Sequence, residues 1–251
     1  MNNKNIILLG GTGFVGQVIK KALENKNNIM TVGSSGNTKY NITEGLNSKI
    51  KQLIINSDLV IYCSWDFKAS KKNYSLIHVN AVKEVVEFCN KHKKSLLFIS
   101  TLLANENSKS IYNKTKYICE QIVLKKNQSI LKLSVVVSNL NKNGNIYLKI
   151  SKLPTIFGYK ILLKPNNAKF RTTDIYELKI FFDNYSFQNS NIFVPNTKLL
   201  TLSNIIDLFT LKNNKYIFVN WKPLYFIVLF LEFFGVKSRI RPDSILSIWG
   251  E

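Results

Sequence analysis

A tyrosine and a lysine four residues apart, Tyr112 and Lys116, are the residues of this chain best suited to move a proton. They fall in a helical pattern, so they lie on one face of a helix, one turn from each other. Tyrosine, with an ordinary pKa of about 10, exchanges protons poorly at neutral pH, but a nearby ammonium favours the phenolate and lowers that pKa. Ser100 and Thr101 follow a predicted buried strand over 95–99, at the carboxyl end where open α/β sheets bind ligands. We predict that a hydroxyl there donates to the carbonyl oxygen that Tyr112 protonates.

A glycine-rich turn near the start of the chain predicts a dinucleotide site. Its three glycines have the spacing G-x-x-G-x-x-G, between the apolar run 6–9 and a helical apolar stripe. Glycine at these places allows a tight turn, a close approach of the backbone to a pyrophosphate, and close packing of helix on strand. The pyrophosphate is expected on the free N–H groups of the helix N-terminus. The residues expected to contact the cofactor here are Gly10, Thr12, Gly13, Phe14, Val15 and Gly16.

These two segments resemble the extended short-chain dehydrogenase/reductases, in particular the group of epimerases, dehydratases and reductases that act on nucleoside-diphosphate sugars. Residues 10–16 match the glycine motif of that family, and residues 112–120 resemble its Y-x-x-S-K-x-x-x-E helix. Residues 172–175 resemble its h-h-x-D-h segment, and residues 200–202, at the start of a helix, resemble its late T-h-x-E-h element. The resemblance covers most of the chain and implies an NAD(P)-dependent enzyme.

The resemblance also implies roles for the reactive side chains. Tyr112 would exchange the proton, and Lys116 would hold the ribose and tune Tyr112. Thr101, the second hydroxyl of an S-[ST] pair, would polarise the substrate oxygen, with Ser100 as the second choice.

Further cofactor contacts are expected outside the glycine turn. Asp58 begins a segment that resembles the family's D-x-V-h-h strand beside the adenine, and Asn80 resembles its structural, cofactor-contacting Asn. Ser64, just after the same strand, completes the expected set.

The choice between NAD and NADP depends on the end of the second predicted strand, 29–33. An acidic residue there would bind the 2′-hydroxyl of the NAD ribose, and none is present. The chain offers Ser34, Ser35 and, a little later, Lys39, which tolerate or attract a 2′-phosphate. This favours NADP, and the alternative is a loop that touches only the ribose and accepts both cofactors.

The substrate side of the expected site departs from the family pattern. Only ten residues separate Thr101 from Tyr112, so the loop that often contacts the sugar is nearly absent. Residues 132–138 replace the family's R-x-x-N-h-h-G pattern with K-L-S-V-V-V-S, and substrate contacts cannot be transferred to them. Trp65 and Arg171 remain substrate candidates. Arg171 could contact a diphosphate together with Arg239 and Arg241, although plain solvated charge is the alternative.

The alternation of strand and helix patterns predicts an α/β fold: a Rossmann-type doubly wound parallel sheet, with a cofactor-binding core over 1–140 and a small substrate lobe over 141–251 interleaved with it. Strands are predicted near 5–9, 29–33, 58–63, 95–100 and 130–137, and helices near 14–25, 44–55, 72–92 and 112–126. Shorter elements near 156–163, 174–184, 192–194 and 203–211 are assigned to the lobe.

Composition excludes little. The net charge is +20, but only three of the 35 basic residues are arginines and the lysines are scattered, so we do not expect a nucleic-acid partner. An anionic sugar nucleotide or an acidic membrane surface fits the charge better. The three cysteines, Cys63, Cys89 and Cys119, lack metal-ligand spacing and indicate a reduced cytoplasm, and no metal site or signal peptide is expected.

An apolar segment near the C-terminus, 224–234, is too short to span a membrane. The favoured expectation is a buried helix that packs on the lobe. The alternatives are a helix lying on the membrane interface and a contact between the subunits of a homodimer.

Together these features predict hydride transfer at a hydroxyl or ketone of a sugar nucleotide, in cell-surface polysaccharide biosynthesis. The shortened loop makes a simple ketone reductase a rival within the enzymes. The rival from another class is a non-catalytic NAD(P)-binding sensor or assembly subunit, which would need the glycines but not Tyr112 or Lys116.

Overall fold

A computed structural model describes residues 1–35, 38–67, 69, 71–140, 145–152, 155, 157–163, 169–186, 191–210 and 214–233. The helices are α1 (Phe14–Leu23), α2 (Ser48–Ile55), α3 (Tyr74–Lys91), α4 (Ile111–Lys125), α5 (Ile146–Ser151), α6 (Ile175–Asn184), α7 (Leu202–Asp207) and α8 (Trp221–Phe233). The strands are β1 (Asn5–Leu9), β2 (Asn28–Val32), β3 (Leu59–Tyr62), β4 (Ser95–Thr101), β5 (Ser129–Leu133), β6 (Val135–Val136), β7 (Tyr159–Leu163), β8 (Lys169–Thr173), β9 (Ile192–Phe193), β10 (Lys198–Thr201) and β11 (Lys215–Val219).

The central layer is a parallel sheet of six strands in the order β2-β1-β3-β4-β5-β9. Strand β1 shows why helices cover both faces, because successive side chains point to opposite sides. Ile6 and Leu8 pack with α1 and α6, whereas Ile7 and Leu9 pack with α2, α3 and α4. The doubly wound α/β fold predicted from the sequence is confirmed.

The strand order creates one crevice with a binding role. The chain passes from β1 to β2 on one side and then returns to β3 on the other side of β1. Such a switch leaves a gap outside the carboxyl ends of β1 and β3, where open α/β sheets bind their ligands. The glycine turn follows β1 and residues 63–67 follow β3, so both segments lie at this gap.

A smaller unit packs beside this layer. It contains the sheets β10-β8-β6 and β11-β7, with α5 and α7 around a separate apolar core. The fully buried members of that core are Ile205 and Ile206 of α7, and Tyr216 and Phe218 of β11 pack against it.

Two parts of the chain differ from the sequence expectation. The predicted strand 130–137 is two strands in different sheets, because the chain turns at Ser134, whose hydroxyl shares a 2.6 Å hydrogen bond with the Thr173 hydroxyl. Elements α6 and β9 were expected in the lobe but belong to the larger unit. Helix α6 packs on α1, and β9 pairs with β5 at the edge of the central sheet.

Helix α8 corrects the favoured expectation for the C-terminal segment. Its apolar side chains are not buried against the lobe, since Phe226 is 63% exposed and Ile227 is 56% exposed, although Val228 is buried. The apolar sequence made burial the natural expectation, but Leu229 and Phe230 are exposed as well. Among the described residues, no helix combines the length and hydropathy needed to cross a bilayer. Arg239 and Arg241 lie outside the described residues.

Candidate active site

Two positions of the glycine turn, Gly10 and Gly16, lie so close to neighbouring backbone that no side chain fits there. Gly10 has φ +87°, and a Cβ there would lie 2.6 Å from the carbonyl carbon of Cys63. A Cβ on Gly16 would lie 2.6 Å from the Cα of Gly11. These glycines let the end of β1, the end of β3 and the first turn of α1 meet at one point.

The N-terminus of α1 is built to receive an anion. Gly13 caps the helix without a side-chain hydrogen bond, and the first turn contains no acidic residue. The amide of Gln17 makes the first helical bond, 2.9 Å to the Gly13 carbonyl, so the amides of Phe14, Val15 and Gly16 precede the helical ladder. Donors and helix dipole together favour a negative group beside the exposed Gly13.

The predicted proton-transfer pair lies on α4, beside β4, which β3 separates from β1 and the glycine turn. The Ser110 side chain caps α4 and fixes its start, so Tyr112 lies in the first turn and is half-buried. Lys116 is buried, and its Nζ donates a 2.8 Å hydrogen bond to the Ile99 carbonyl of β4. Nζ lies 6.0 Å from the centre of the Tyr112 ring. The structure therefore brings both residues to the carboxyl end of β4.

The two hydroxyls at the end of β4 have different surroundings. Ser100 is buried, and its Oγ donates 2.5 Å to Oε1 of Glu120, whose other oxygen is 2.8 Å from Lys132 Nζ. Thr101 is half-buried, and its Oγ1 accepts a 3.3 Å hydrogen bond from the Leu103 amide. Ser100 thus anchors α4 to β4, and Thr101 is better placed to meet a ligand.

An aromatic cluster covers Lys116 from the side of β3. The Trp65 ring lies 3.9 Å from Lys116 Nζ and stacks on His78, with ring centres 3.9 Å apart and planes 2° apart. The Trp65 indole N–H donates 2.7 Å to the Tyr74 hydroxyl, and its ring meets Tyr112 edge-on at 5.6 Å. Trp65, expected to contact substrate, is therefore part of the wall around the proton-transfer pair.

Burial tunes the two basic groups of this cluster. Desolvation lowers the pKa of Lys116 to about 8, so the ammonium still predominates at neutral pH. Desolvation also lowers the pKa of His78 to about 4, so the imidazole is neutral. His78 is a residue of this cluster that the sequence analysis did not single out. The signal was its phase on α3, the same face as the buried Tyr74 one turn before.

Two expected cofactor contacts do not reach the site. Asp58 lies at the amino end of β3, where its Oδ2 accepts a 2.8 Å hydrogen bond from the Asn5 amide at the start of β1. That end is the edge of the sheet opposite the glycine turn. Asn80 is exposed on α3. It follows the buried His78 by two residues, which turn the helix by about 200°, so the two side chains point to opposite sides of α3. Asn80 therefore faces away from Lys116.

The remaining candidates have mixed positions. Ser34 and Ser35 are exposed just beyond β2, next to the glycine turn, and Ser64 is buried against Gly10. Arg171 is exposed on the middle strand of the sheet β10-β8-β6.

No protein-family model matches the chain, and no curated protein matches it in sequence. Solved structures match its fold. The chain is similar to Helicobacter pylori ADP-L-glycero-D-manno-heptose-6-epimerase, with TM-score 0.68, 12% identity, and coverage of 99% of this chain and 95% of that one. It is similar to a Bacillus cereus UDP-N-acetylglucosamine 4-epimerase, with TM-score 0.61, 19% identity, and coverage of 86% and 85%. It is also similar to MoeE5, solved in complex with UDP-glucuronic acid and NAD, with TM-score 0.67, 12% identity, and coverage of 86% and 85%.

Proposed function

We propose that this chain is an NAD(P)-dependent oxidoreductase or epimerase that acts on a sugar nucleotide, in cell-surface polysaccharide biosynthesis. The observation that carries the proposal is a juxtaposition at one sheet edge. The N-terminus of α1, which has no side-chain cap, and the Tyr112–Lys116 pair lie at the carboxyl ends of β1 and β4, on either side of β3 and at the same edge of the sheet. The similar structures support the substrate class, since two are nucleotide-sugar epimerases and the third holds a UDP-sugar with NAD.

The residues at the α1 end fit the pyrophosphate of a dinucleotide. The free amides of Phe14 and Val15 would bind the phosphates, and Gly13 would let the backbone approach them. Ser34 and Ser35 would lie at the adenosine ribose, where the lack of an acidic side chain favours NADP over NAD.

The residues at the α4 end would manage the proton. The nicotinamide, when bound, accepts or supplies the hydride at the substrate carbon. Tyr112 would give or take the proton on the substrate oxygen, and Thr101 would donate a hydrogen bond to that oxygen. Lys116 would keep a positive charge next to Tyr112 and so favour its phenolate, as its pKa of about 8 allows at neutral pH. If the keto sugar nucleotide is released or enters as the substrate, the result is a net oxidation or reduction. If it stays bound and is reduced from its other face, the result is epimerisation.

Trp65 supports a second candidate function. Its ring contacts His78 and Tyr74 and lies with its centre 3.9 Å from Lys116 Nζ. The ring therefore covers the ammonium group that we expect to hold the nicotinamide ribose. A protein that binds the adenosine half of the dinucleotide and performs no chemistry, such as a sensor or assembly subunit, could keep this arrangement. A simple ketone reductase is the alternative within the enzymes, because the loop between Thr101 and Tyr112 is short.

The experiment that tests these alternatives starts with binding. The purified protein is titrated with NADH and NADPH, followed by fluorescence, and with ADP-ribose, which lacks the nicotinamide. An enzyme should bind NADH at least about tenfold more tightly than ADP-ribose, which is NADH without the nicotinamide, whereas equal affinities for these two favour the non-catalytic binder. Absence of binding to every one of these ligands would refute the dinucleotide site.

Single-turnover oxidation of the bound cofactor then tests the chemistry, with a panel of 4-keto sugar nucleotides and simple ketones. We expect Tyr112→Phe to lower the rate about 10²–10⁴-fold without weakening cofactor binding. Tyr117→Phe, on the next turn of α4, is the matched control and should react like the wild type. Turnover of simple ketones alone would favour the ketone reductase.

A further inference from the structure

The small sheet β11-β7 has an apolar outer face. The strands pair in parallel, with Ile161 opposite Ile217, and both side chains are exposed. Alternate residues of β11, Tyr216 and Phe218, point the other way and pack on the core of the small unit. Val219, on the outer face like Ile217, is also exposed. A two-stranded sheet with apolar residues on both sides has one side left to cover.

Helix α8 exposes further apolar side chains. It follows β11 after the single residue Asn220, and Phe226 and Ile227 are more than half exposed. Phe157, at the turn before β7, is 96% exposed. Soluble monomers rarely expose large contiguous apolar patches, and such patches mark protein or membrane contacts.

The charges around this surface are mostly positive. Residues 155–163 and 214–233 contain one acidic residue, Glu232, near the end of α8. Lys215 on β11 and Lys222 in the first turn of α8 are exposed, and α8 also carries Trp221 and Tyr225. In the sequence after α8, Lys237, Arg239 and Arg241 are followed by Asp243 and Glu251.

We propose that the outer face of β11-β7 and helix α8 form a surface that binds an anionic lipid bilayer, with α8 lying in the interface. Apolar and aromatic side chains would enter the headgroup boundary, and each nearby lysine would be attracted to anionic lipid. Within the described part of the chain, α8 has thirteen residues, too few to cross the bilayer, which fits a helix lying on it. The proposal does not depend on the proposed enzymatic activity.

The lysines favour lipid over a second copy of the chain. A two-fold contact uses the same patch on both subunits, so the patch that carries Lys215 and Lys222 would face an identical, mostly positive patch. Like charges so placed oppose association, whereas an anionic surface satisfies them.

Co-sedimentation of the full chain with vesicles tests the proposal. We expect binding to phosphatidylcholine vesicles that contain phosphatidylglycerol, weakened by salt, and at least about tenfold weaker binding to phosphatidylcholine alone. The double variant Phe226→Ser/Ile227→Ser should bind at least about tenfold less, and Leu199→Ser, at an exposed apolar residue of β10, is its control. Lys215→Glu/Lys222→Glu should likewise bind less, with Lys91→Glu on α3 as its control.

Three outcomes would overturn the proposal. The first is a full chain that does not sediment with anionic vesicles. The second is an equal loss in test and control variants, which would mean unspecific attraction of a chain with charge +20. The third is a dimer, measured by analytical ultracentrifugation, that Phe226→Ser/Ile227→Ser dissociates while vesicle binding is unchanged, which would assign the surface to a second copy.

Discussion

Replacement by alanine should have different effects at two glycines at the start of α1: Gly16→Ala should lower stability, whereas Gly13→Ala should lower dinucleotide affinity. A Cβ on Gly16 would lie 2.6 Å from the Gly11 Cα and would also overlap the carbonyl of Gly10. Both neighbours are backbone atoms of a tight turn and cannot move aside separately. A Cβ on Gly13 would meet only the Gly10 carbonyl oxygen, at 3.3 Å, and the φ of −76° suits any residue.

The expected magnitudes follow from these contacts. Overpacking at Gly16 costs about 3 kcal/mol, and the helix preference of alanine over glycine offsets about 1 kcal/mol, so Gly16→Ala should lower the free energy of unfolding by about 2 kcal/mol. Gly13→Ala should stay within about 1 kcal/mol of the wild type. The added methyl of Gly13→Ala would, however, separate the helix N-terminus from a pyrophosphate, and dinucleotide affinity should fall about tenfold or more.

Urea unfolding followed by circular dichroism measures the first effect, and NADPH fluorescence titration measures the second. If Gly16→Ala had the same free energy of unfolding as the wild type, the packing argument would be refuted. Undiminished NADPH binding by a folded Gly13→Ala protein would show that the pyrophosphate does not lie on α1.

Three further changes probe the site and its support. Burial lowers the pKa of Lys116 to about 8 from an ordinary 10.5, so between these pH values the unfolded chain binds more protons than the folded one. The free energy of unfolding of the wild type, relative to that of Lys116→Met, should therefore rise by about 3 kcal/mol as the pH rises across this window. Urea unfolding measures it at each pH, and a difference between the two proteins that does not change with pH would contradict the prediction. Ser100→Ala should cost about 1.5–3 kcal/mol of stability because it removes a hydrogen bond to the buried Glu120 carboxylate, whereas Thr101→Ala should cost less than about 1 kcal/mol and instead slow single turnover. Thr201→Ala should destabilise by about 1 kcal/mol, because Thr201 Oγ1 caps α7, and Thr201→Ser should recover most of the loss in the same unfolding assay.

The sequence predicts the core of the site well where local spacing determines the geometry. The order of apolar run, glycine turn and helical stripe gives β1, the turn and α1 because each part is encoded within a few residues. The four-residue offset from Tyr112 to Lys116 likewise places both on one face of α4, whatever the rest of the chain does. The end of β4 at Thr101 follows from a short buried strand.

Side chains whose role depends on distant parts of the chain are predicted less well. Asp58 begins the expected strand segment, but the parallel pairing of β1 and β3 puts it at the amino edge, far from the ligand edge. Asn80 resembles a motif residue, yet the phase of α3 turns it outward and brings His78 to the site. Trp65 stacks on His78 because α3 packs against the end of β3, which no local pattern encodes.

The edge strand β9 also constrains how the chain can fold. β9 is separated from its neighbour β5 by more than fifty residues of sequence, and α6, which immediately precedes it, covers α1 at the opposite end of the chain. A chain emerging from the ribosome therefore cannot close the central layer when its first 140 residues have been made. Until α6 and β9 are synthesised, β5 is an open edge and one face of the sheet is incompletely covered, which favours pairing with other chains. High contact order of this kind slows folding, so production of the protein should depend on full-length synthesis, and C-terminal truncations ahead of residue 193 should accumulate as aggregates.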